Sequence, residues 1–120
     1  MSLTFAEAER RSPYALLLEL REHALLSPSD AGGHLTELAL AAAVVAWWTR
    51  WQPLTVHHAL LSGATLAEVA AACGLDRAEV VRRWTRWAEA QMRLVIGSRP
   101  ALDPAEAELV RGRIEAEVVA

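Results

Sequence analysis

Between Thr65 and Trp84 the chain carries two helix starts separated by one glycine, and this narrows the local fold more than any other stretch of the sequence. Thr65 and Glu68 stand at the spacing of a capping box, in which the threonine hydroxyl covers an open amide and the glutamate reaches back to the cap. Asp76 and Glu79 repeat the spacing, and Gly74 lies between the two pairs where a left-handed helix end is needed. The segment therefore reads as a short helix, a tight turn and a longer helix running from 76 to about 95.

The rest of the chain follows the same helical grammar. No window alternates apolar and polar residues with period two, and Ala, Leu, Glu and Arg dominate. An all-α fold of five to six helices is expected, with 120 residues forming a single all-helical domain. Ser12 before Pro13 marks an N-cap and first helical residue, opening a helix over Pro13 to Leu26 that Ser27-Pro28-Ser29-Asp30 ends. A second helix is expected from near Asp30 or His34 to Trp51. Its middle, Leu38 to Trp48, is apolar on every face, as in a helix that others pack around. Pro53 should end that helix and begin another, which stops at Ser62-Gly63. Gly97-Ser98-Arg99-Pro100 reads as a linker to a C-terminal helix within 101–120, signalled by Asp103, Pro104 and Glu106. The apolar stripe of that last helix, Ala107, Val110, Ile114 and Val118, needs a partner surface.

The residues 44–51 and 80–87 match at six of eight positions. This reads either as a duplicated helical unit or as a coincidence that an alanine- and arginine-rich composition makes easy.

Charge is low overall but unevenly placed. The net charge of −3 opposes binding to a polyanion, whose affinity rests on neutralised phosphates. Residues 76–99 nevertheless hold six Arg against three acids, whereas 1–30 and 100–120 are acidic. All twelve cations are Arg, with no Lys, the pattern of a high-GC bacterial gene. Cys73 is the single cysteine, so an internal disulfide is excluded. The first residues lack the apolar stretch of a secretion signal, and the longest apolar run has eleven residues, about half of what a membrane span needs. The expectation is a cytoplasmic protein that does not enter a membrane.

Residues 65–84 resemble the helix-turn-helix of bacterial DNA-binding proteins. Val69 and Ala70 occupy the apolar and small positions of the first helix, Gly74 the turn, Leu75 the apolar position after it, and Val80 the inward position of the recognition helix. The continuation through residue 91 is similar to small, mostly uncharacterised helix-turn-helix proteins of high-GC Gram-positive bacteria. One position departs from the pattern: Arg83 stands where an apolar side chain is wanted, with Trp84 next, which implies a rotated or longer recognition helix. The whole motif with its preceding helix lies within 53–96.

Wound at 100° per residue, the second helix places Val80, Trp84, Trp87, Leu94 and Val95 on one side and Arg82, Arg86, Glu89 and Arg93 on the other. The resemblance implies that the first turns enter the major groove of double-stranded DNA, where Arg pairs with guanine edges and phosphates. Arg77, Arg82 and Arg86 are the groove candidates, Arg83 adjoins them, and Thr65 with the amides beside it is placed for a phosphate. The plain structural reading is a solvated stripe laced by Glu79 and Glu89. The first reading implies a transcriptional regulator working as a homodimer, since paired recognition helices double the specific contact. The leucine-rich first helix and the stripe of the last helix are the surfaces for pairing. The rival is a protein-binding adaptor, for example one that holds a sigma factor or another regulator.

Five tryptophans interleaved with arginine also suit stacking on single-stranded bases, but at helical spacing they read as core, with Trp84 and Trp87 packing on the helix of Trp47, Trp48 and Trp51. His23, His34, His57, His58 and Cys73 have no convincing ligand spacing, so no metal is expected. No nucleophile elbow, phosphate loop or paired-carboxylate signature is present, so neither catalysis nor a cofactor is expected.

Overall fold

The computed structural model describes residues 2–27 and 29–119. Pro28, part of the expected helix end, lies outside the described residues. The fold is all-α, 77% helical, with six helices among the described residues and one two-stranded hairpin. In chain order these are α1 (Phe5–Ala8), α2 (Pro13–Leu26), α3 (Ala31–Leu61), α4 (Leu66–Cys73), α5 (Arg77–Arg93), the strands β1 (Val95–Ile96) and β2 (Arg99–Pro100), and α6 (Pro104–Val119). Among the described residues no helix is long and apolar enough to cross a membrane. The sequence reading takes residues 1–120 as one domain; the chain divides into two compact units, Met1–Trp51 and Gln52–Ala120.

In the first unit α2 begins where Ser12 and Pro13 placed it, with the Ser12 hydroxyl accepting from the Ala15 amide at 3.2 Å. Ala8, Leu16, Leu40 and Ala43 form a small core, flanked by Leu3, Leu20 and Val44. His23 tethers α2 to the start of α3, its ring nitrogen 2.7 Å from the Gly33 carbonyl. The apolar run 38–48 is not enclosed as expected. Ala39, Leu40 and Ala43 are buried, but Leu38, Val45 and Trp48 on the same helix are exposed. With only α1 and α2 to cover it in this unit, α3 hides one flank and leaves the other in solvent.

Pro53 does not end the helix. α3 runs unbroken from Ala31 to Leu61, although proline has no N–H for the Thr49 carbonyl four residues back. The residues after it explain the continuation: Val56, His57 and Leu60 are buried at helical spacing in the second unit, a gain that outweighs one lost backbone hydrogen bond.

The second unit gathers the last turns of α3 with α4, α5 and α6. Its core holds Val56, Leu60, Leu66, Val69, Ala70, Val80, Trp84 and Ala88, closed by Leu102, Ala107, Val110 and Ile114. The stripe of the last helix is thus buried against its own chain, with only Val118 exposed, and is not a free pairing surface. Arg113 of α6 donates to the Leu60 carbonyl at 2.6 Å, a cation at the C-terminal end of α3, where the helix dipole favours it.

Two expectations at the end of α5 are corrected. The helix stops at Arg93, and Leu94 and Val95 are exposed instead of lying on its buried side. Residues 97–100 are not a linker but complete a hairpin, in which Val95 pairs with Pro100 and Ile96 with Arg99. Gly97, at φ +68°, supplies the positive dihedral that a two-residue hairpin loop requires. The echo between 44–51 and 80–87 does not carry a shared environment: Trp48 is 42% exposed and its counterpart Trp84 is 1% exposed.

Candidate functional site

The glycine-jointed pair α4 and α5 forms as the sequence implies, and each local signal can be followed to an atom. Thr65 caps α4, its hydroxyl accepting from the Glu68 amide at 3.1 Å, while the Glu68 carboxylate accepts from the Thr65 amide at 2.9 Å. Hydrogen bonds from the Thr65 amide and then from the Thr65 side chain to this carboxylate hold the Glu68 carboxyl below its ordinary pKa. Gly74 ends α4 in the left-handed region at φ +68°, and the following amide of Leu75 bonds the Ala70 carbonyl at 3.1 Å. Asp76 then caps α5, accepting from the Glu79 amide at 2.7 Å.

The second capping box is only half made. Glu79 does not turn back to the cap but bonds two arginines: Arg82 through Nε at 3.0 Å and Nη2 at 2.6 Å, and Arg83 through Nε at 2.9 Å. Charged donors one turn away compete successfully with a single neutral amide. The guanidinium of Arg83 and then that of Arg82 hold the Glu79 carboxyl below its ordinary pKa, and Glu79 in turn raises that of Arg82.

The apolar positions of the glycine-jointed pair face inward. Val69, Ala70 and Val80 are buried and Leu75 is half-buried. At the departing position Trp84 takes the inward place, 1% exposed, one helical turn beyond Val80. Arg83 is thereby turned outward, toward the last turns of α3, and donates to the Gln52 side-chain carbonyl at 3.1 Å.

Trp84 and Trp87 pack on the turn of α3 that carries His57. The Trp84 indole N–H donates to Nδ1 of His57 at 3.0 Å, and the two rings stack within 7° of parallel. The Trp87 ring centroid lies 5.3 Å from that of His57. A buried indole needs an acceptor for its N–H, which histidine supplies and another tryptophan does not. His57 is itself 1% exposed, and its Nε2 has no hydrogen-bond partner, the nearest carboxylate being Glu106 at 3.7 Å. Burial pushes its pKa down, opposed by Glu106. Arg111 lies over the other partner, 5.9 Å from the Trp84 ring centroid.

The five sequence-derived site residues separate into groups. Arg77, Arg82 and Arg86 are all exposed along α5. Arg77 and Arg86 have no ion-pair partner among the described residues, whereas Arg82 and Arg83 share Glu79. Thr65 is placed differently from its expected role. Its amide is held by Glu68, and the next amide, of Leu66, donates to the Glu117 carboxylate at 2.6 Å. Two carboxylates already occupy the end of α4 where a phosphate would sit. Glu117 lies 51 residues from Leu66, and no local pattern signals it.

The structure therefore defines an all-α protein whose second unit centres on a glycine-jointed helix pair with an arginine-bearing outer face. Neither the family models, the curated proteins nor the solved structures searched gave a match to this chain.

Proposed function

We propose that this protein is a cytoplasmic transcriptional regulator that binds double-stranded DNA through α5 as a homodimer. One observation carries the reading. The helix after the Gly74 turn is anchored inward by Val80 and Trp84 while Arg82 and Arg86 lie exposed along its opposite side and Arg77 stands exposed in its first turn. A helix held from behind with arginines on its free side has the form needed to enter a major groove and bond guanine edges or flanking phosphates. Arg77 and Arg86 reach the ligand without first breaking an ion pair. Arg82 shares Glu79 at an exposed site, where such a pair is weak and yields to a phosphate. Thr65, with its amide occupied, and Arg83, turned to Gln52, are left outside the groove contact.

The pairing surface in this reading lies on the first unit. Leu35, Leu38, Val45 and Trp48 of α3 are exposed, as are Leu17, Leu18, Leu25 and Leu26 of α2. The α3 positions 35, 38, 42, 45 and 49 are all exposed and recur at alternate steps of three and four, the spacing of a seam between two helices. The same apolar surface favours the adaptor reading, in which it binds a different protein and the Glu79 clamp keeps α5 from nucleic acid.

The deciding experiment is fluorescence anisotropy against labelled duplexes tiled across the gene's upstream region, at low and near-physiological salt. The DNA reading requires salt-sensitive binding to one duplex, abolished in the Arg82→Ala, Arg86→Ala double variant, each arginine contributing about 1–3 kcal/mol. Equal failure of both proteins on every duplex overturns it in favour of the adaptor.

A further inference from the structure

The first unit contains a feature that DNA binding does not use. A cleft of about 230 Å³ opens between the start of α2 and the middle of α3. Its walls come from one side of α3, where Ala43, Trp47, Arg50 and Trp51 recur at helical spacing, with the fully buried Leu16 opposite. Two indoles and an aliphatic wall make a slot for a flat apolar group. The volume exceeds the roughly 150 Å³ of an apolar cavity that takes up benzene and falls below the roughly 300 Å³ at which drug-sized pockets begin.

Charge at the same cleft narrows the ligand. Arg11 is committed to Glu19. Arg50 and Glu9, in contrast, both line the cleft, are not paired with each other, and have no partner among the described residues. One cation and one anion beside an aromatic slot match a small molecule with both charges and an apolar body. We propose that this cleft binds a free aromatic α-amino acid. Its carboxylate meets the Arg50 guanidinium in a forked, charge-assisted contact, its ammonium meets Glu9, and its ring lies against Trp47 and Trp51.

The test is a calorimetric titration of the full chain, without DNA, so that its result is independent of the regulator reading. The probes are L-phenylalanine, phenylacetate, which lacks the amine, and phenethylamine, which lacks the carboxylate. Saturable binding of phenylalanine is expected, with each analogue at least about tenfold weaker. Arg50→Gln should weaken phenylalanine and phenylacetate but not phenethylamine, and Glu9→Gln should weaken phenylalanine and phenethylamine but not phenylacetate. Both side chains are exposed, so circular dichroism of the variants should match the parent protein. No saturable heat with phenylalanine up to about 10 mM, equal affinity for all three probes, or unchanged phenylalanine binding in Arg50→Gln overturns the proposal.

Discussion

At the scale of single residues, His57 shows how a side chain's protonation state is set by its neighbours. The Trp84 N–H donates to Nδ1, so that nitrogen carries no proton, and the ring is neutral with its hydrogen on Nε2. Charging the ring would require the Trp84 bond to be given up or a cation to be held in the core. Burial accordingly lowers the pKa below 6.5, with Glu106 opposing and His58 adding to the shift. In the window below about 6.5 the unfolded chain binds a proton that the folded chain refuses, so stability is full above the window and falls as pH drops through it. Urea midpoints should thus decline from pH 7 to pH 5, before the carboxylates of Glu68 and Glu79 titrate. In His57→Asn, which keeps an acceptor near the indole but cannot titrate, that decline should flatten. Trp84→Phe should cost about 1–3 kcal/mol in the same assay, since it leaves Nδ1 buried and unpaired.

At the scale of elements, the turn between α4 and α5 depends on one backbone conformation. Gly74 sits at φ +68° with open space where a Cβ would project, so replacement by alanine is opposed by the backbone alone. Gly74→Ala should destabilise by about 1–2 kcal/mol, and Gly74→Asn by less, because asparagine tolerates the left-handed region. Chemical denaturation of the two variants checks the order. α3 makes the complementary point. Its continuation through Pro53 rests on the burial of Val56 and Leu60 and not on local propensity, so Pro53→Ala should restore an amide for the Thr49 carbonyl and raise the melting temperature. A lower melting temperature would mean that the helix needs the proline's distortion to seat those residues.

At the scale of the whole molecule, the proposed homodimer makes its own prediction. Leu38→Glu with Val45→Glu places charges on the exposed seam of α3, and light scattering should find a monomer whose helicity is unchanged. A dimer that survives both substitutions would move the interface elsewhere. If the double variant is monomeric, DNA affinity should fall with it, because each recognition helix would then bind alone.

Much of this architecture is written in local signals. Ser12-Pro13, Thr65 with Glu68, Gly74 and Asp76 are read by amides within a few residues, so the starts of α2, α4 and α5 and the all-α class follow from the chain alone. The outward arginines Arg82 and Arg86 are legible for the same reason, since helical periodicity places them opposite Val80 and Trp84, whereas Arg77 shares the Trp84 side of the helix and is exposed in its first turn. What the tertiary structure alone decided is every choice between competing partners. The uninterrupted α3, the Glu117 carboxylate at the start of α4, the acceptor beneath Trp84 and the burial of the α6 stripe each depend on residues tens of positions apart. Local rules state which groups need a partner; only packing, where burial outweighs a lost backbone bond, determines which partner is within reach.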